Sequence, residues 1–507
     1  MAVIVPLPAG PVPEPRGPFF WMQRVLRELE NLRESPAPDT VHDLRVALRR
    51  CRSMAATMEE VDPHPAWEEM RQEGRKLFRK LGALRDAQVQ EDLVKKLAPE
   101  NDRLRALLLG HMEAREKTSR EEALRSASRF DEKKWKSLAR TLRSRAQLVP
   151  PGGTAAQCLA LERFEEAREL HRRALRTERP KPWHKLRIGV KKFRYTVEGF
   201  LPEHHAAWSG DLKRVQDLLG DIHDLDVLHA MVKEQGDASL AEDRGVWEEN
   251  IAHERHERIE TYRQLTLGTV SLWNRWQIGL PTNGQIQAAA MARIQATARA
   301  ADPHHRRTTR DASLARGIAE AFRRAKVSTI FAEADFRRLL GASAKLHGIQ
   351  PNGAEKSRPK AARRFLASLP TPPGWSNEDW SMVSFAVRYH RGAEPKADRG
   401  AISKMGAQQQ VKIHLLAGLL RLARALRKAG MISSKGMRAS ASGEAIVLTA
   451  PNLQDTPEVS ARLASAKHLL EKGLGKPLLI KAVPLVEKVV TLTKAPDEPA
   501  FAAVASD

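Results

Sequence analysis

An eleven-residue basic segment occurs twice in this chain, at His42 and again at His184, and no other feature constrains the fold as tightly. The copies His42-Asp-Leu-Arg-Val-Ala-Leu-Arg-Arg-Cys-Arg52 and His184-Lys-Leu-Arg-Ile-Gly-Val-Lys-Lys-Phe-Arg194 align without a gap. Each is followed by a second matching piece, LGALRDAQV from Leu81 to Val89 and LGDIHDLDV from Leu219 to Val227. Two linked motifs recurring in the same order predict a duplicated unit. Apolar spacing near 3.6 through Trp67 to Arg79 and Arg103 to Arg115 predicts that each unit is an antiparallel helix bundle.

On a helical wheel, Arg45, Arg49 and Arg52 fall within about 80° of His42, opposite Leu44, Ala47, Leu48 and Cys51. The second copy repeats the pattern, with His184, Arg187, Lys191 and Arg194 facing away from Leu186, Val190, Phe193 and Val197. Arg50 and Lys192 flank the two stripes. Like charges at i,i+3 and i,i+4 cost a few tenths of a kcal/mol per pair, so each stripe calls for something negative. Within the two helices the only carboxylate spaced to supply it is Glu198, four residues after Arg194. A polyanion between two facing stripes answers the need better, because guanidinium groups grip phosphate in a fork and the contact strengthens as water is excluded.

Charge alone is less informative. The 507 residues carry 85 Lys and Arg against 62 Asp and Glu, a net of +23. Residues 1–290 hold 49 basic and 44 acidic side chains, and residues 291–507 hold 36 and 18. An excess like that of the second part attracts any polyanion. No apolar run is long enough to span a membrane, since Arg421 and Arg424 break the best candidate, Leu415 to Leu426. The start, MAVIVPLPAGPVPEP, lacks the basic flank and unbroken apolar core of a signal peptide, so the expected location is the cytoplasm. Cys51 and Cys158 are too few for a disulfide framework or a zinc knuckle and are expected to be buried thiols.

The pattern H-x-L-R-(V/I)-x-x-(R/K)-(R/K)-x-R followed by L-G-x-x-(R/H)-D-x-x-V, present twice, resembles the CHAD family, the conserved-histidine α-helical domain, over roughly Phe19 to Leu280. The resemblance implies a mainly α fold of two pseudo-symmetric four-helix bundles that binds inorganic polyphosphate between its halves. It implies ligand contacts at His42, Arg45, Arg49, Arg52, His184, Arg187, Lys191 and Arg194, flanked by Arg50 and Lys192, with Arg75, Arg79 and Lys213 as additions. Asp86 and Asp224 are expected to orient these cations. The expected organisation is a flexible tail over 1–15, bundles over about 16–148 and 154–280 joined at Pro150-Pro-Gly-Gly153, and a boundary at Gly279 to Gly284.

A second module is expected over 285–492, with a disordered tail over 493–507. Its segments FRRLLGASAKLHGIQPNG, GWSNEDWSMVSFAVRYHRGAEP and LLAGLLRLARAL resemble the HD-like C-terminal domain of the exopolyphosphatase and guanosine pentaphosphate phosphohydrolase family. Short strands are expected at Gly443 to Thr449 and Lys476 to Val483, with a helix at Pro457 to Gly473 between them. The metal-ligand pattern of that family is broken: Gly348 follows His347 where Asp is expected, Glu355 to Pro359 replaces a His-rich segment, and Arg427 stands at a late Asp. His304 and His305, among Arg306, Arg307 and Arg310, read as a basic loop. His414, Arg421, Arg424 and Lys428 share a helix face and are expected to form a secondary anion site. No Walker-type loop, actin-like nucleotide-binding domain or E-x-E-x-K strand occurs. The leading expectation is therefore a non-catalytic polyphosphate-binding protein with no cofactor, placed by its partner at polyphosphate granules. The alternatives are a metal-dependent phosphohydrolase acting near His347 and His390, on polyphosphate or a guanosine polyphosphate, and a nucleic-acid-binding protein. The latter is disfavoured by stripes with few stacking aromatics.

Overall fold

Proline sets five of the helix starts in the duplicated region, at the first helical position, where a missing amide hydrogen costs nothing. The computed structural model describes residues 17–483 except 237, 352–357, 397–399 and 455. The expected tails, and Glu355 to Ser357 of the replaced segment, lie outside the described residues. The first copy comprises α1 (Pro18–Glu34), α2 (Pro38–Met58), α3 (Pro65–Leu97), α4 (Arg103–Ser128) and α5 (Glu132–Arg145). The second comprises α6 (Thr154–Ala174), α7 (Pro180–Phe200), α8 (Pro202–Lys233), α9 (Ala241–Thr266) and α10 (Leu272–Ile278). The four expected helices per copy are thus three helices and a fourth arm in two pieces. Asp131 caps the restart at α5 through the Lys134 amide, and Ser271 caps the restart at α10 through the Asn274 amide.

The apolar faces read from the wheel are the buried ones. Leu44, Ala47, Leu48 and Cys51 on α2, and Leu186, Val190, Phe193 and Val197 on α7, enter a single core that both copies share. The two basic helices pack directly on one another. Gly199 permits the approach, because a Cβ there would stand 2.7 Å from the Met54 methyl carbon on α2. The far ends of α3, α4, α8 and α9 close a separate cluster around Val94, Leu104, Leu108, Leu228 and Trp247. Both cysteines are buried free thiols.

After the break at 279–284 come α11 (Gly284–Ala301), α12 (His305–Arg324), α13 (Ala334–Leu346), α14 (Arg358–Ser368), α15 (Asn377–Tyr389), α16 (Gly400–Ser403) and α17 (Ala407–Lys428). A small sheet follows: β1 (Arg438–Ser442), β2 (Ala445–Pro451), helix α18 (Pro457–Leu474) and β3 (Leu478–Val483). β2 pairs antiparallel with β1 and parallel with β3. β1 is an addition to the sequence reading. Its residues, Arg-Ala-Ser-Ala-Ser, carry no β-branched or aromatic side chain, and pairing with β2 alone makes them a strand.

Across the break at 279–284 the chain stays in contact with the second bundle. α11 packs along α6 of the second bundle. Ala296 belongs to the shared bundle core, while Ala290, Ile294 and Ala298 belong to the core of the following module. Among the described residues, no helix is long and apolar enough to cross a membrane.

Candidate functional site

Because α2 and α7 pack together, their cationic faces converge. Arg49 stands at the centre, and its charge is felt at Arg45, Arg50, Arg187, Lys191 and Arg194. Burial is the main cause holding Arg45, Arg187 and Arg194 below the usual arginine range. An arginine keeps its charge regardless, so these shifts are a cost carried by the fold. Lys191 is pushed down to about 7, first by burial and then by Arg187 and Arg49, with Asp224 pulling the other way. Burial pushes Asp224 up to about 6 against the pull of Arg187.

Donors in this cluster are left over. Arg45 Nη1 and the Nε atoms of Arg49, Arg187 and Arg194 are buried with no hydrogen-bond partner among the described residues. Arg45 Nη2 lies 3.5 Å from Asp86 Oδ1, the orienting contact expected of that aspartate. Asp224 acts on Arg187 and Lys191 through its field. The glycine of the first L-G motif has a definite role: a Cβ on Gly82 would stand 2.6 Å from Arg45 Nη1 and displace it. The matching Gly220 has nothing within 4 Å, so the two copies use the motif differently.

The remaining expected site residues differ in their surroundings. Arg50 is turned inward, 9% exposed, paired with Glu198 and lying over the Trp21 and Tyr195 rings. This corrects the spacing argument for Glu198, which serves an arginine of the other copy, since contact between α2 and α7 decides its partner. Lys192 pairs with Glu166 at 2.8 Å. Lys213 pairs with Asp217 at 2.7 Å, on a separate concavity with Arg214 and Asp221. His184 packs against His223, Nδ1 to Nδ1 at 3.3 Å. Burial, then the neighbouring cations, hold both imidazoles below their usual range, His223 at about 4. His42 and Arg79 are exposed.

Arg49, Arg52, Arg75, Lys191 and Lys192 line a concavity of about 890 Å³ that continues from the cluster along the first copy. Arg71 and Arg163 join it, as do Glu59, Glu60 and Glu68, with Phe365 of α14 and Leu369 just after that helix. Two aromatics, absent from the sequence reading, brace the cations. The guanidinium carbons of Arg45 and Arg52 lie 5.1 and 4.4 Å from the Phe78 centroid, and that of Arg49 lies 5.4 Å from that of Tyr195. Phe193 is in the core, as its wheel position requires. Tyr195 sits at the seam between the copies, a position no single-helix wheel defines.

In the second module the expected secondary set divides. His414 is buried, and its Nδ1 donates to the Gln410 carbonyl at 2.7 Å. Arg421 clamps the carbonyls of Tyr389, Gly392 and Ala393. Arg424 and Lys428 instead line a cavity of about 190 Å³ with Asp302, His304, Arg307, Asp311, His347, His390, Arg391 and Arg427. His304 and His305 are the cap and first residue of α12, where a loop was expected.

His347 and His390 meet edge to face with centroids 5.3 Å apart. Asp311, which spacing did not single out, accepts from Arg427 Nε at 2.5 Å and lies 3.5 Å from His347 Nε2. Burial raises the Asp311 carboxyl, but bonds from His347 and Arg427 outweigh it and hold the group below its usual value. These residues do not fit a divalent metal pair, because a guanidinium already occupies the carboxylate that faces His347. An aspartate at position 348 does not fit either: a Cβ there would stand 2.1 Å from Thr308 Oγ1 and 2.5 Å from Asp302 Oδ2. Among the described residues, no group of three His, Cys, Asp or Glu is placed to hold a metal ion.

Comparison with known proteins bears on the duplicated region. Residues 22–233 match the model of the CHAD domain family, ending with α8, before α9 and α10 complete the second copy. No curated protein matches the chain. Among solved structures, the crystal structure of the CHAD domain from the plant Ricinus communis is similar at 23% identity, over 49% of this chain and 89% of that one. Its TM-score is 0.37.

Proposed function

Starting from a CHAD domain at residues 22–233, we propose that this protein binds inorganic polyphosphate, without hydrolysing it, in the groove between α2 and α7. The observation that carries this reading is the set of buried, partnerless guanidinium nitrogens on Arg45, Arg49, Arg187 and Arg194. A buried donor without an acceptor costs about 1–3 kcal/mol, more when charged, so a ligand rich in anionic oxygens relieves several such costs at once. A chain of phosphates supplies them at short repeat, and the concavity past Arg52 and Arg75 offers the chain a way out. We read the second module as a degenerate relative of the HD-like exopolyphosphatase domain, a reading supported by Asp311, His347 and His390 facing one cavity with Arg427 among them. On this reading Arg427 does the charge-balancing that a metal does in an active relative.

The test is retention on immobilised polyphosphate across a salt series. By counterion release, log affinity is expected to fall with log salt with a slope of about −3 or steeper. A flat salt response, or equal competition by single-stranded nucleic acid at matched salt, removes the reading. Release of orthophosphate from polyphosphate by the metal-supplemented protein replaces it with the hydrolase.

Affinity is also expected to depend on pH. With its pKa at about 7 in the native state, Lys191 is neutral at pH 8.5 in the empty groove. The unfolded chain keeps that proton up to the ordinary lysine value, so the group adds stability as pH rises above about 7. Binding a polyanion reverses the preference and draws a proton onto Lys191. Affinity should therefore be highest below pH 7 and fall toward pH 8.5, with proton uptake seen by calorimetry in buffers of different ionisation enthalpy. Asp224 adds to the trend, losing its negative charge below about pH 6. Lys191→Arg should flatten the profile above pH 7. A profile that rises with pH contradicts the assignment.

A further inference from the structure

Helix α12 opens with charges that its own dipole opposes. His305, Arg306 and Arg307 form its first turn, Arg310 follows, and no acidic residue stands there. The N-terminal end of a helix carries partial positive charge and favours anions. Arg307 borders the 190 Å³ cavity, whose lining among the described residues also holds Arg391, Arg424, Arg427 and Lys428 beside the carboxylates of Asp302 and Asp311. Cations at the C-terminal ends of α15 and α17 offset the dipoles of those helices. That role covers Arg391, Arg424, Arg427 and Lys428 one by one, but it cannot cover Arg307.

The two carboxylates differ. Asp311 is satisfied within the protein by Arg427 and His347. Asp302 Oδ1 accepts the His304 amide at 2.8 Å, while its Oδ2 is buried and has no donor among the described residues. An unsatisfied acceptor in a cavity dominated by cations selects a ligand that is anionic and brings its own proton. The cavity lies below the roughly 300–1,000 Å³ that accommodates a drug-sized ligand, so the ligand is small.

We propose that the cavity between the start of α12 and the ends of α13, α15 and α17 is a receptor for a protonated phosphate oxyanion. Its charged oxygens would be held by Arg307 and Lys428, and its P–OH would be donated to Asp302. Orthophosphate retains a P–OH at neutral pH, and the end group of a phosphate chain can keep one in the site. Sulfate has acceptors only and would set one against the carboxylate, an arrangement that discriminates through repulsion. The site is separate from the α2–α7 groove and does not depend on the groove's ligand.

The test is calorimetric titration of the full chain carrying Arg49→Glu and Arg194→Glu, which silences the groove. Orthophosphate should bind, with sulfate at least tenfold weaker at matched ionic strength. Adding Arg307→Ala and Lys428→Ala, both at exposed positions, should weaken orthophosphate at least tenfold while leaving thermal unfolding in place. Asp302→Asn keeps the acceptor for the His304 amide and places a donor at the other position, so sulfate should rise to parity. Tripolyphosphate on the same background identifies the source: binding assigns the site to chain ends, and failure assigns it to free orthophosphate. Equal affinity for phosphate and sulfate before substitution, no orthophosphate binding, or no effect of the Arg307 and Lys428 changes overturns the proposal.

Discussion

Arg49→Glu combined with Arg194→Glu is expected to abolish polyphosphate retention at physiological salt, a loss of at least a hundredfold, with helicity unchanged. The pair is chosen for what surrounds it. Arg49 and Arg194 sit on different copies, and the charge of Arg49 is felt at Arg194 across the seam. Each also holds a buried Nε without a hydrogen-bond partner among the described residues. Reversing them removes two donors, introduces two like charges facing the ligand, and relieves repulsion among the remaining cations. A hundredfold loss is about 2.7 kcal/mol, modest for two reversed charge contacts in a partly desolvated site. Arg45 is a poorer choice, because Asp86 at 3.5 Å would face a new carboxylate and confuse a binding loss with a folding loss. Polyphosphate should raise the thermal midpoint of the native protein and leave that of the double variant unmoved. Retention that survives the double reversal, in a protein with native circular dichroism, rules out the groove.

Removing Arg293 is expected to be the most destabilising single change at the junction between the modules. Arg293 on α11 is 2% exposed, and its Nη1 donates to Glu162 on α6 at 2.5 Å. Burial raises the Glu162 carboxyl, against the pull of Arg293. Arg293→Met leaves that carboxyl buried without its counter-charge, at a cost of about 3–5 kcal/mol. Glu162→Leu with Arg293→Met should recover most of the loss, since replacing both partners of a buried pair by apolar groups is often neutral. Urea unfolding followed by two probes checks both variants. If α11 holds the modules as one body, Arg293→Met should also expose the 279–284 turn to limited proteolysis. A change under about 1 kcal/mol shows instead that the pair contributes little to the junction.

Much of the fold was legible because it is local. The 3.6-residue period separates Leu44, Leu48 and Cys51 from Arg45, Arg49 and Arg52 whatever the helix packs against, and the structure buries the faces so assigned. The repeat of L-G after the basic helix announced two like units. β1 was not legible, because its small and polar residues have no strand preference apart from β2. The helix through Arg103 to Arg115 was legible in the first bundle, but the division of each fourth arm into two was not.

The character of each surface was written in the sequence alone: two helices apolar on one side and cationic on the other, and a second module in which His414, Arg421, Arg424 and Lys428 share one helix face. Which cations stay without a partner was decided only by the tertiary structure. Glu198 pairs with Arg50, a residue 148 positions before it, and leaves Arg194 open. Asp311 meets Arg427 across 116 positions and turns a row of exposed-looking basic residues into one wall of a cavity. Spacing along a helix settles which face a side chain occupies, because that geometry repeats every turn. The partner it meets there depends on where the chain returns, and that is set by the packing of distant apolar faces.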